Sequence, residues 1–152
     1  MQVLGRLGWR TNHSLRTDAS GNAQTRMRLT VNRSVRALYA GDPGLLPSNS
    51  SVLKLGVRPV VSAQVASSGG QRVLVTGRVQ PRKPTAVLTL KRRATSGRLV
   101  RVSRRTVRLR RGRLLTYLRI KRPAAYRLRL SVLRDQHNLS ARSQVAEFRV
   151  GK

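Results

Sequence analysis

In the second half of the chain, apolar residues fall at every other position. Within Tyr126–Val132, Tyr126, Leu128, Leu130 and Val132 alternate with Arg127, Arg129 and Ser131. A period of two sends these sets to opposite faces of a β-strand. Val73, Val75 and Val79 form a second inner row, and Val107 with Leu109 a third, leaving Arg108 and Arg110 outside. Leu114, Thr116, Leu118 and Ile120 make a fourth, and Leu88 with Leu90 a fifth. Val145, Phe148 and Val150 close the chain, with their phase left open around Glu147. Nowhere do apolar residues keep helical spacing over three turns. The pattern predicts an all-β chain.

Turn-favouring residues punctuate these runs: Ser68-Gly-Gly70, Gln80-Pro-Arg-Lys-Pro84, Thr95-Ser-Gly97, Arg111-Gly112, Arg122-Pro123 and Asp135-Gln-His-Asn138. Residues 60–151 therefore read as about seven short strands at the spacing of a β-sandwich. Val57-Arg-Pro-Val60 interrupts the pattern, and Pro59 cannot donate to a sheet ladder. The expected division is 1–57 and 58–152.

The first part repeats the second half of the second part. Gly21–Thr25 lies over Gly112–Thr116 at an offset of 91, which sets Met27 and Leu29 on Leu118 and Ile120, and Val35 on Tyr126. After a loop difference of two residues, Val52 and Leu55 fall on Val145 and Phe148. Gly8-Trp9 falls on Arg98-Leu99 at an offset of 90. A period near ninety residues is that of tandem sandwich modules. On this overlay Met1 falls after the third strand of the first module, which is expected to lack roughly its first thirty residues, and with them the true N-terminus.

Charge changes the picture more than length does. Of 152 residues, 33 are Lys or Arg and only 4 are Asp or Glu, a formal net charge of +29. Arg accounts for 28 of the cations and Lys for 5. Four acids and two His leave few groups for acid–base or metal chemistry, so no enzymatic role is expected. No Cys is present, which excludes disulfides and thiolate sites. No apolar run reaches eighteen residues, so no membrane-spanning helix is expected. The start, Met1-Gln-Val-Leu-Gly-Arg6, lacks the basic head and apolar stretch of a signal peptide. The Arg excess reads either as a polyanion-binding surface or as the solvent-facing side of a sheet.

Tyr39-Ala-Gly-Asp42 followed by Leu46-Pro-Ser-Asn-Ser50 resembles the Tyr-x-Gly-Asp…Pro-Ser-x-Ser signature of bacterial immunoglobulin-like repeats, common in secreted and surface proteins of actinobacteria. The second part resembles the family more loosely, with Val132-Leu-Arg-Asp135 where the signature would stand. The resemblance implies tandem immunoglobulin-like β-sandwiches, the first truncated at its N-terminus. It implies an extracellular or cell-surface spacer or adhesion module beside neighbouring modules of the same kind, with no catalytic or cofactor residues to carry over.

Candidate chemistry is sparse. Asp135 with His137, and His13 with Asp18, each offer two metal ligands where three or four are usual. Asp42 lacks a neighbouring carboxylate for a calcium site. All three read as turn residues. No Gly-x-Ser-x-Gly elbow and no phosphate-loop pattern occurs, so Gly69-Gly70 reads as a hairpin. The Asn-x-Ser triplets at Asn12, Asn32, Asn49 and Asn138 read as polar turns. No cofactor or metal is expected.

The Arg rows remain. Arg101, Arg104, Arg105, Arg108, Arg110, Arg111 and Arg113 crowd one expected hairpin, and Arg127 and Arg129 occupy another strand's outer face. Sharing a sheet, they would form a positive surface for teichoic acid, another anionic wall polymer, or nucleic acid bound non-specifically. With five aromatics and no base-reading motif, sequence-specific nucleic-acid binding is not expected. The leading expectation is a non-catalytic spacer or adhesion module. A polyanion-binding module is the alternative, and an intracellular nucleic-acid- or ribosome-associated protein is a third.

Overall fold

Antiparallel pairing joins every strand in the computed structural model, which describes residues 1–67 and 71–151. The Ser68-Gly-Gly70 turn lies outside the described residues. The chain separates into two compact units, Met1–Val57 and Arg58–Lys152. No helix occurs among the described residues.

The first unit contains β1 (Gln2–Gly5), β2 (Gly8–Thr11), β3 (Arg33–Arg36), β4 (Leu38–Tyr39), β5 (Ser48–Asn49) and β6 (Leu53–Leu55). Four of these form a sheet in the order β2-β1-β3-β6, while β4 and β5 pair separately. Val3, Val35 and Leu53 stand opposite one another across one face. Of these Val35 is buried, whereas Leu53 is 58% exposed. Apart from the β4-β5 pair, no second sheet forms within this unit among the described residues.

The second unit contains β7 (Val60–Ser67), β8 (Arg72–Gln80), β9 (Thr85–Arg93), β10 (Leu99–Arg108), β11 (Arg113–Arg119), β12 (Ala124–Val132), β13 (Ala141–Arg142) and β14 (Ala146–Val150). One sheet runs β11-β8-β7. The other runs β10-β9-β12, and β13 and β14 share the far edge of β12. At the break between them, Ser143 Oγ accepts the Leu130 amide at 3.1 Å, so β12 keeps a partner there.

The inner rows meet between these sheets. Leu128, Leu130 and Val75 are wholly buried, and Val73, Val79, Leu88, Leu90, Leu114, Ile120 and Tyr126 join them in one cluster. Each large apolar side chain so buried contributes roughly 1.5–3 kcal/mol. Gly77 faces inward from β8, where an added Cβ would come 2.9 Å from Leu130 Cδ2. A side chain there would have to push the Leu130 side chain aside and would crowd the Ser62 carbonyl at 3.0 Å. The inner residues of β14 are Ala146, Phe148 and Val150. Val145 precedes the strand and is exposed, which corrects the expected row. Phe148 stands opposite Tyr126, their rings stacked with centroids 5.5 Å apart. Near the start of β12, the Tyr126 hydroxyl donates to the Arg122 carbonyl at 2.7 Å. This bond ties the crossing segment between the sheets to the core.

The expected 101–113 hairpin is not one sheet. β10 pairs with β9, and β11 pairs with β8. The link between them, Arg110-Arg111-Gly112-Arg113, passes from one sheet to the other through two residues of positive φ, Arg111 at 51° and Gly112 at 77°. Successive positive φ values are those of a tight primed turn. Gly112 also lies so close to Val79 that a Cβ would meet its carbonyl oxygen at 2.7 Å.

Two outcomes follow from this packing. Leu128→Asp places a charge in the driest part of the core and should abolish cooperative thermal unfolding of the second unit. Arg127→Asp, one residue away on the outer face, should shift the midpoint only slightly. Equal effects would mean the alternation does not set the core. Hydrogen exchange should also divide at the boundary. Val35 is the one buried apolar residue described in the first unit, against sixteen clustered in the second. Amides before Val57 should therefore exchange markedly faster than those of β8, β9 and β12.

Candidate anion-binding face

Residues directly opposite on neighbouring antiparallel strands share a face. Arg101, Lys91 and Arg127 stand in one such row across β10, β9 and β12, and Glu147 ends it on β14. The next row sets Arg104 and Arg129 on either side of Thr89. In the third, Val87 and Ser131 lead to Arg142 on β13.

A β-bulge creates one side of this arrangement. Pairing between β10 and β9 shifts between Arg101 and Ser103, leaving Val102 without an opposite residue. Residues three apart ordinarily point to opposite faces. The extra residue instead turns both Arg101 and Arg104 outward. Between the Arg-bearing strands, β9 presents the short side chains Val87 and Thr89. The outcome is a trough of about 440 Å³ with Arg101 and Arg104 along one side and Arg127, Arg129 and Arg142 along the other. Lys91 stands at one end of its floor. The two sides are two strand spacings apart, about 9–10 Å.

Among the described residues, one carboxylate tempers this face. Glu147 Oε1 lies 2.6 Å from Arg127 Nε. The Nε of Arg129 is buried with no hydrogen-bond partner among the described residues. A buried donor left without an acceptor costs about 1–3 kcal/mol. Like charges set directly opposite across a ladder also repel. An anion in the trough would relieve the repulsion.

The other Arg residues of the expected surface are dispersed. Arg108 shares the outer face opposite Thr85, beyond the trough. Arg105 stands opposite Leu88 and so points to the inner side of the exposed edge strand. There it lines a separate cleft of about 490 Å³ with Val100, Val102 and Leu118. Arg110, Arg111 and Arg113 belong to the turn between the sheets. Lys91 and Arg142 join the trough without having been singled out. The alternation of Leu88 and Leu90 already marks Lys91 as outward. Arg142 sits in a two-residue strand too short to carry a period.

The acidic candidates serve turns. Asp135 Oδ1 accepts the amides of His137 at 2.9 Å and Asn138 at 2.8 Å, while Oδ2 takes Lys83 Nζ at 2.5 Å. Asp42 does the same at the equivalent point of the first unit, taking the Gly44 amide at 2.9 Å and the Tyr39 hydroxyl at 2.5 Å. Gly41, before it, has φ 88°, and a Cβ there would meet the Leu45 carbonyl at 2.9 Å. Asp18 accepts the Ser20 and Asn22 amides. Among the described residues, no three His, Asp or Glu side chains gather as a metal site. The bond that the Tyr39 hydroxyl donates to Asp42 raises the Tyr39 pKa, and the same bond, with the Gly44 amide, lowers that of Asp42.

No protein-family model matches the chain, and comparison with curated proteins finds no match.

The Lys83 bond, helped by the two turn amides, holds the Asp135 carboxyl down at about 2. A carboxyl depressed on folding stabilises the native state above its unfolded pKa, near 4, and loses that contribution as pH falls through the folded value. Stability should therefore decline between about pH 4 and pH 2 through this group. Asp135→Asn should flatten that part of the profile, as followed by thermal unfolding against pH.

Proposed function

We propose that the chain is a non-catalytic, immunoglobulin-like spacer or adhesion segment of a secreted or cell-surface bacterial protein, in which one sheet of the module occurs twice. The observation that carries this reading is the recurrence of one sheet. β3 and β4 fall on β12 at an offset of 91, and β5 and β6 fall on β13 and β14 at an offset of 93. The order β2-β1-β3-β6 matches β10-β9-β12 followed by β14. Asp42 and Asp135, also 93 apart, cap the same turn in each copy. The bond from Tyr126 back to Arg122 supports the immunoglobulin-like assignment, since a tyrosine at this corner is a hallmark of that sandwich. Leu128, two residues on, fills the place where antibody domains carry a disulfide cysteine. The fourth strand differs from the constant-domain pattern by joining the sheet of the third, sixth and seventh.

A second reading is favoured by the trough. In it the module adheres to an anionic wall polymer, and its ordered cations are the means of attachment. Salt separates the two readings. An adhesive module should stay on immobilised teichoic acid at physiological ionic strength. Its log affinity should fall linearly with log salt, and each trough Arg removed should reduce the slope by roughly 0.7–0.9. A passive spacer would elute well below that ionic strength, with a slope indifferent to which Arg is replaced.

A further inference from the structure

The trough is narrow, and its width selects among polyanions. We propose that it takes a single, extended polyol-phosphate chain lying along β9, clamped from both sides, and that it excludes duplex nucleic acid. The proposal rests on the adhesive reading above and narrows it to one ligand shape.

Width is the first argument. The sides rise from β10 and β12, two strand spacings apart, about 9–10 Å. One phosphodiester backbone fits between them. A duplex, whose major groove alone is about 12 Å wide, could touch only the rims. The floor is the second argument. Val87 and Thr89 are short and half-buried, so a chain can sink until its phosphates lie level with the guanidinium groups. Spacing is the third. Arg127 and Arg129 are two residues apart, and the bulge brings Arg104 into register opposite Arg129. Each phosphate can thus meet an Arg from either side. Arg129 itself lines the trough, so its guanidinium can offer a charge-assisted bond to a phosphate there.

The absence of aromatics favours a chain without bases. Single-stranded nucleic-acid sites gain much of their affinity by stacking bases on aromatic rings. No aromatic residue lines this trough among the described residues. Trp9 lies under Arg36, Tyr117 beside Arg72, and Tyr126 against Phe148. Affinity must come from phosphates alone, as a polyol-phosphate chain provides.

A plug that leaves the charge unchanged tests this. Thr89→Trp fills the floor and keeps every cation. In the full chain, at fixed moderate salt, it should weaken poly(glycerol phosphate) binding by about tenfold or more, as loss of two or more charge-assisted contacts implies. Duplex DNA binding should change little. Should the Trp variant fail to fold, an equal-charge pair serves. Arg104→Gln with Arg129→Gln should weaken poly(glycerol phosphate) binding by at least that factor, and Arg111→Gln with Arg113→Gln only a few-fold. Oligothymidylate held more tightly than poly(glycerol phosphate), and lost equally on plugging, would overturn the proposal in favour of a single-stranded nucleic acid. Binding indifferent to the plug and to which Arg pair is replaced would overturn the trough but leave general polyanion adhesion standing. Failure of every polyanion to bind at low salt would overturn both.

Discussion

Everything in the second unit leans on one constraint: alternate residues must be buried between two sheets. Leu128, Leu130 and Val75 are wholly removed from water, and the period of two then dictates that their neighbours face out. In a chain with 33 cations and 4 acids, outward rows become rows of like charge. Magnitudes explain why this is tolerated. Two unit charges 4 Å apart interact by about 1 kcal/mol in water, and salt screens that further. A single buried Leu contributes roughly 1.5–3 kcal/mol. The core wins, and the charge pattern is its consequence.

Legibility in the sequence follows the same division. The inner rows on β8, β9, β11 and β12 were readable because each is long enough to show its period. What was hidden depends on single residues. The bulge at Val102 inserts one position, which no alternation count registers, yet it places Arg101 and Arg104 on one face. At the end of the chain Glu147 blurs the phase, so Val145 looks like an inner residue although the strand begins at Ala146. Arg111-Gly112 signals a tight turn, and a tight turn is present. Local chemistry fixes its φ values and says nothing about which strands pair on either side. Tyr126 was readable as a core residue. Its hydroxyl bond to Arg122 was not, since a ring in an apolar row does not reveal where its polar tip ends.

The first unit shows what a sheet of the same order looks like with little to bury. Its strands span two to four residues, against seven to ten for β7 to β12. Leu7, Leu45, Leu46 and Leu53 are largely exposed. Side-chain bonds to the backbone supplement its strand ladders. Asn32 accepts the Val57 amide, Ser50 Oγ accepts that of Ala37, and Asp42 organises the turn after Tyr39. Bonds of this kind give about 0.5–1.5 kcal/mol each and compete with water when exposed. They set the shape of loops better than they hold layers together.

Scarcity of acid also decides how the carboxylates are used. Asp18, Asp42 and Asp135 each satisfy backbone amides in a turn, and Glu147 pairs with Arg127 at the end of a cation row. All four therefore have a structural task. The Tyr39 hydroxyl, with the Gly44 amide, lowers the Asp42 pKa, and Lys83 does so for Asp135, which is the opposite of the raised pKa a general acid needs. The consequence reaches the Arg face. Every carboxylate committed to a turn is one fewer available to neutralise the sheet. Arg104, Arg129 and Arg142 stand in their rows without an acidic neighbour opposite them. Such a surface keeps a positive charge that its own rows do not neutralise. The bulge turns Arg101 and Arg104 onto one face, the short floor residues give the trough its depth, and the spacing of strands sets its width.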